Sequence, residues 1–149
     1  MNSAAIAKAT QLIKGFEGLR LTAYSDSGGV LTIGYGHTHG VKKGQTCTEA
    51  EADAFLAKDM TWVIYALNPI VEKFGLGINE SAALISLAFN VGVSAIIKKN
   101  RSIYRALANG TRVDVAKAMR LWNKANGQVV QGLVNRRNKE AEVFLTEDL

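Results

Sequence analysis

"KGFEGLRLTAYSDSGGVLTIGYGH", residues 14–37, changes its period midway, and that change decides the fold. Upstream of it, Ile6, Ala9, Leu12, Ile13 and Phe16 recur at helical spacing, which predicts an amphipathic helix over 3–16. Gly15 and Gly18 bracket its end. Leu21 to Ser25 and Val30 to Gly34 are then short segments with β-branched and aromatic residues, joined by Asp26-Ser27-Gly28-Gly29. Glycines that accept positive φ between two such runs predict a β-hairpin.

The same stretch carries the candidate chemistry. Glu17 closes the apolar helix, Asp26 opens the hairpin turn, and Thr32 lies in the second strand. Taken singly, each is ordinary: Asp-Ser-Gly-Gly is turn chemistry, and a β-branched strand residue needs no function. A carboxylate near a helix C-terminus is electrostatically disfavoured as an anion, which suits a group that must carry a proton. Gly34-Tyr35-Gly36-His37 lets the backbone approach something closely, which makes Tyr35 a candidate cleft residue. His37 and His39 have no third ligand nearby, so a buried histidine is expected rather than a metal site.

Beyond residue 47 the helical period returns. Thr48 and Glu51 form a capping box, and Phe55, Leu56, Met60, Val63, Ile64 and Leu67 make one stripe. A long helix over 49–66, ending before Pro69, follows. Further helices are expected from an Asn79 N-cap, over 101–109, from Val113 or Asp114, and over 133–145. The only sheet expected lies between residues 20 and 40. The class is therefore α+β: a small lobe over 15–50, an inter-lobe helix, and a helical lobe over 67–149 on which helix 3–16 packs, with a cleft between lobes.

Composition narrows the functional classes. Hydrophobic residues at 48% with a single proline describe one folded domain, not a disordered chain. Cys47 is the only cysteine, so an internal disulfide and thiolate zinc chemistry drop out. No apolar run reaches the ~20 residues of a membrane span, and no export signal is expected. Residues 1–97 carry 7 basic and 8 acidic side chains, whereas 98–149 carry 11 and 5. That asymmetry points to a polyanionic partner. Lys98-Lys99-Asn100-Arg101 and Asn135-Arg136-Arg137-Asn138-Lys139 are too scattered to form one stripe, so nucleic-acid binding is not expected.

Glu17, eight residues, Asp26, five residues and Thr32, set in "FEGLRLTAYSDSGGVLTIGYGH", resemble the catalytic segment of the phage-type (T4-like) lysozyme family. "CTEAEADAFLAKDM" (47–60) resembles the start of that family's inter-lobe helix, "SLAFNVG" (86–92) a core helix bordering its cleft, and "GLVNRRNKEAEVF" (132–144) its C-terminal end. The resemblance implies a lysozyme-like fold and a muramidase acting on bacterial peptidoglycan without a cofactor or metal. It implies Glu17 as general acid, with Asp26 and Thr32 holding the attacking water. Arg136 would pair with Glu17 across the cleft and favour its charged form, opposing the helix-end effect. Asn90 would be a polar cleft residue, and His37 with Asp59 a buried structural pair.

The likeness has departures. Only ten residues separate His37 from Thr48, too few for the extra small-lobe helix of some relatives, and "KKNRSIYRAL" (98–107) lacks the wording of close ones. The signal-anchor of many relatives is not seen either. The expectation is a monomer made in the host cytoplasm that reaches the wall through a separate holin or by virion delivery. Two alternatives stay open: a lytic transglycosylase forming 1,6-anhydro products, and a non-catalytic peptidoglycan-binding protein.

Overall fold

A computed structural model describes all 149 residues as seven helices and four short strands. The elements are α1 (Ser3–Glu17), β1 (Arg20–Ser25), β2 (Leu31–Gly34), α2 (Glu49–Phe74), α3 (Ile78–Val91), α4 (Ser94–Ile97), α5 (Ser102–Asn109), α6 (Arg112–Arg120), β3 (Lys124–Ala125), β4 (Gln128–Val129) and α7 (Gln131–Leu145). The chain divides into two compact units, Thr10–Trp62 and Met1–Ala9 with Val63–Leu149. The boundary falls inside α1 and inside α2, so both helices contribute to both units.

In the Thr10–Trp62 unit, Ile13, Ile33, Ala52, Leu56 and Met60 are almost wholly buried. Strands β1 and β2 pair antiparallel with Tyr24 opposite Thr32 and Arg20 opposite Gly34, so β1 carries a bulge between Arg20 and Tyr24. A two-stranded hairpin is marginal alone. Here the bulged stretch gains further partners on its other edge: Ala23 N–H donates to the Gln45 carbonyl at 2.8 Å, and Cys47 N–H to that of Leu21 at 2.9 Å. The segment before α2 thus acts as a third strand. The expected capping box of α2 is present, with Glu51 N–H donating to Thr48 Oγ1 and Thr48 N–H to Glu51 Oε1.

The other unit is built around α3, in which Asn79 and every residue from Ser81 to Ala88 are buried. A helix apolar nearly all round must be covered on all sides. Helix α7 packs on α3, α6 on α7, and α5 on α6. Leu84, Leu87, Ile96, Ile103, Met119 and Phe144 fill the spaces between them.

Three local expectations are corrected. The long helix does not stop at 66 but continues through Pro69 to Phe74. An interior proline costs about 3 kcal/mol. Leu67 and Ile70 are buried on the continuing stripe, and at about 1.5–3 kcal/mol each their burial offsets that cost. Asn79 is not the N-cap of α3. Gly77 holds that position, and the Asn79 amide donates to the carbonyls of Thr146 and Glu147. Finally, the hairpin at 20–40 is not the only sheet. Asn126 and Gly127 both take positive φ, 52° and 77°, and turn β3 back onto β4. Asn-Gly is the strongest short hairpin signal, because that turn needs two left-handed residues.

The C-terminal residues cap α3. Asp148 Oδ2 accepts from Ile78 N–H at 2.7 Å and Oδ1 from Asn79 N–H at 2.9 Å. A carboxylate on free N–H groups at a helix N-terminus is stabilised as an anion. These bonds, that to Asn79 first, hold the Asp148 carboxyl below its ordinary value. Because the folded pKa is depressed, the stabilisation is present above the unfolded value of about 3.9 and is lost as pH falls through the folded value. Asp148→Asn is expected to lower the melting temperature at pH 7, with the gap to the parent closing below about pH 4. A gap that stays constant with pH would contradict the charged cap.

Candidate active site

The hairpin turn is tied by its first residue. Asp26 Oδ1 accepts from Gly28 N–H at 2.9 Å and Val30 N–H at 2.8 Å, the Asx arrangement that Asp-Ser-Gly-Gly favours. The Asp26 N–H donates to the Val30 carbonyl at 2.9 Å, and that carbonyl also accepts from Thr32 Oγ1 at 2.9 Å. The backbone N–H and carbonyl of one residue, Val30, therefore hold both side chains. Asp26 Oδ2 takes part in none of these bonds. The Thr32 hydroxyl, on a buried residue, has spent its only hydrogen on Val30 and can only accept from anything further.

Glu17 is placed by the end of α1. Gly18, at φ 71°, donates its N–H to the Lys14 carbonyl and closes the helix in the left-handed conformation. A second glycine lies against the Glu17 carboxylate. Ile33 and His37 exchange both backbone hydrogen bonds at 2.9 Å, which makes Gly34-Tyr35-Gly36 a tight loop. Gly36 has φ 80°, and a Cβ there would stand 3.0 Å from Glu17 Oε1. Tyr35 is buried between these glycines, with Lys14 Nζ 5.2 Å from its ring centroid. Lys14 also pairs with Asp53 at 2.7 Å, and that hydrogen bond raises its pKa.

His37 is buried behind this loop. Its Nδ1 lies 2.8 Å from Asp59 Oδ2, and its ring stacks on Phe55 with centroids 4.4 Å apart. Both partners come from α2, so the pair fastens the loop to that helix. Glu17, Asp26, Thr32, Tyr35, His37 and Asp59 thus share the Thr10–Trp62 unit.

Asn90 and Arg136 belong to the other unit, where a buried charge cluster joins α3 to α7. Glu140, fully buried, accepts at Oε2 from Ser86 Oγ at 2.5 Å and from Arg136 Nε at 3.2 Å. Its Oε1 lies 2.7 Å from Arg137 Nε, but neither atom has a hydrogen-bond partner, so this contact is an ion pair without hydrogen-bond alignment. Arg136 Nη2 reaches the Ser86 carbonyl at 3.3 Å. Arg137 donates to Asn90 Oδ1 at 2.8 Å and to the Trp122 carbonyl at 3.2 Å. Burial lowers the Arg137 pKa, and Glu140 opposes that effect.

Sequence reasoning missed Glu140, Ser86 and Arg137. The signal was available: Arg136, Arg137 and Glu140 are four and three residues apart on one helix, so their heads converge. Arg137 reads only as one of the scattered basic residues of 135–139, and nothing singles out Glu140, because charged residues are almost never fully buried unless paired. Removing Glu140 leaves the buried Arg137 without its carboxylate. Glu140→Ala is therefore expected to cost about 3–5 kcal/mol in urea denaturation. A loss under about 1 kcal/mol, as for an exposed pair, would contradict the cluster.

Residues 14–140 match the phage lysozyme family model. The chain is 37% identical over 141 residues to an endolysin of Acyrthosiphon pisum secondary endosymbiont phage 1, covering 92% of this chain and 94% of that protein. It is 38% identical over 139 residues to the endolysin of Salmonella phage P22, covering 90% and 92%. Among solved structures, the muramidase domain of SpmX from Asticaccaulis excentricus superposes with a TM-score of 0.81 at 36% identity, over 93% of this chain and 95% of that one. The lysozyme-like α+β fold follows from that match. With the family model spanning most of the chain and relatives this similar along nearly their whole length, the chain belongs to the phage lysozyme family and is a lysozyme-type glycoside hydrolase.

Proposed function

We propose that the enzyme hydrolyses the β-1,4 bond between N-acetylmuramic acid and N-acetylglucosamine in bacterial peptidoglycan, with inversion at the anomeric carbon. Glu17 is the general acid that protonates the leaving oxygen. Asp26 and Thr32 hold the attacking water. The observation that carries this reading is the bonding at Val30, whose backbone N–H and carbonyl hold the two side chains.

The hydrogen bonds of Thr32 and Asp26 support one orientation for that water. Thr32 Oγ1 has donated to Val30 and is left as an acceptor. The free Asp26 oxygen is an acceptor as well. A water donating one hydrogen to each turns a lone pair outward, toward the anomeric carbon. As its oxygen bonds to that carbon, Asp26 takes a proton while Glu17 gives one to the departing sugar oxygen. Two carboxyl groups with a water between one of them and the sugar is the arrangement of inverting glycosidases. Gly36 supports the acid from behind, because any larger residue would crowd Glu17 Oε1.

We assign Tyr35, Asn90 and Arg136 to substrate binding. The polymer is the only partner required, and the enzyme works as a monomer without a cofactor. No helix is long and apolar enough to cross a membrane. The same reading has the enzyme made in the host cytoplasm and brought to the wall by a separate holin or by virion delivery.

Digestion of purified peptidoglycan tests the chemistry. Reducing fragments ending in N-acetylmuramic acid are expected, with Glu17→Gln slowing their release by about 10²–10⁴-fold. Thr32→Ser, which keeps the acceptor, should retain most of the rate, whereas Thr32→Val should lose about tenfold or more, since it removes a hydrogen bond to the water. Anhydro products would assign the chain to the transglycosylases. Full activity in Thr32→Val would remove the proposed water site.

A further inference from the structure

Three consecutive residues of the loop beside Glu17 are each held by a different group. Gly34 lies against α2, where a Cβ would stand 3.2 Å from the Ala52 Cβ. Gly36 lies against the end of α1, where a Cβ would stand 3.0 Å from Glu17 Oε1 and 3.5 Å from its Cδ. Between them, the buried ring of Tyr35 has the Lys14 ammonium 5.2 Å from its centroid. At that distance a cation is attracted to an aromatic face.

Lys14 closes the arrangement. It stands in the last turn of α1, three residues before Glu17, so the two are neighbours on the helix surface. Its Nζ lies 2.7 Å from Asp53 Oδ1, and Asp53 follows Ala52 on α2. The helix that carries Glu17, the loop that backs it and the helix against which that loop packs are thus joined at one ammonium. The pair is a poor candidate for a stability device, because its side chains are 34% and 47% exposed and ion pairs in that setting contribute little to folding. What it does hold is the Tyr35 ring. The paired Ile33 and His37 fix the base of the loop. Its tip has a glycine on each side of the tyrosine, so it is conformationally free and takes its position from whatever holds the ring.

We propose that Lys14 is a positioning residue for the general acid. Through Tyr35 it holds Gly36 against the Glu17 carboxyl group and keeps that group aimed at the leaving oxygen. Asp53 in turn keeps the ammonium over the ring. The inference rests on the reading of Glu17 as the acid. Proton transfer needs heavy atoms about 2.6–3.2 Å apart, so a carboxyl group left free to swing loses rate more than affinity. Tyr35 is also assigned to substrate, so a small change in KM accompanies the larger one in kcat.

Lys14→Met, Lys14→Arg and Asp53→Asn test this. Lys14→Met keeps the length of the side chain and its helix propensity but removes the charge. On purified peptidoglycan it should lower kcat by about tenfold and raise KM by no more than about twofold. Lys14→Arg, which can pair with a carboxylate and lie over a ring, should restore most of the rate. Asp53→Asn should act in the same direction as Lys14→Met, and the two together should be no slower than Lys14→Met alone. The melting temperature of Lys14→Met should stay within about 4 °C of the parent. An unchanged kcat in Lys14→Met, a loss that falls mainly on KM, or no rescue by Lys14→Arg would overturn the proposal. Backbone relaxation separates this from failure of the acid assignment. The Tyr35 and Gly36 amides should have order parameters of about 0.85 in the parent and in Lys14→Arg, and of about 0.6 or lower in Lys14→Met. Equal order in all three proteins would overturn the anchor, whatever the activity of Glu17→Gln. Full activity in Glu17→Gln would instead overturn the acid assignment and leave the relaxation result standing.

Discussion

The backbone of Val30 is the constraint on which the site depends. Its N–H is spent on Asp26 Oδ1, and its carbonyl accepts from both Asp26 N–H and Thr32 Oγ1. The side chain of Val30 is half exposed and contributes little, so position 30 matters through its backbone. That backbone is held by the register of β1 on β2 and by the 45–47 segment paired to the far edge of β1. A slip of one residue in the hairpin would send Thr32 to the opposite face and undo the arrangement. Gly36, in the loop that follows, lies against the Glu17 carboxylate, where a Cβ would stand 3.0 Å from Oε1.

The second unit meets a different demand. Glu140 and two arginines are placed where water cannot reach them, a costly arrangement unless each charge is matched. Ser86 and Asn90 from α3 complete the matching, so the cluster fixes the register of α3 against α7. It also aims Arg136, held by Glu140 and the Ser86 carbonyl. Its neighbour Arg137 carries the connection onward to the Trp122 carbonyl.

Local signals made much of the fold legible in the sequence. The stripe of α1, the glycine-rich hairpin and the Thr48–Glu51 capping box are short-range features, and each stands where its pattern placed it. The errors arose where long-range packing decides. Pro69 reads as a stop, but burial of Leu67 and Ile70 carries α2 through it. Asn79 reads as a cap, but Asp148, distant in sequence, takes the backbone donors of α3. Asn126-Gly127 was a readable hairpin signal passed over because the flanking strands are only two residues each. In the candidate site the spacing of Glu17, Asp26 and Thr32 was visible. The commitment of the Thr32 hydrogen to Val30 was not, since a bond direction is a property of the folded chain.

In the proposed reaction a water held by acceptors on Asp26 and Thr32 becomes part of the product. The most direct measurement is to run the digestion in heavy-oxygen water and follow the first turnovers by NMR and mass spectrometry. The account predicts solvent oxygen on the anomeric carbon of the new N-acetylmuramic acid end, appearing first as the α anomer. Product without solvent oxygen, or the β anomer forming first, would contradict it.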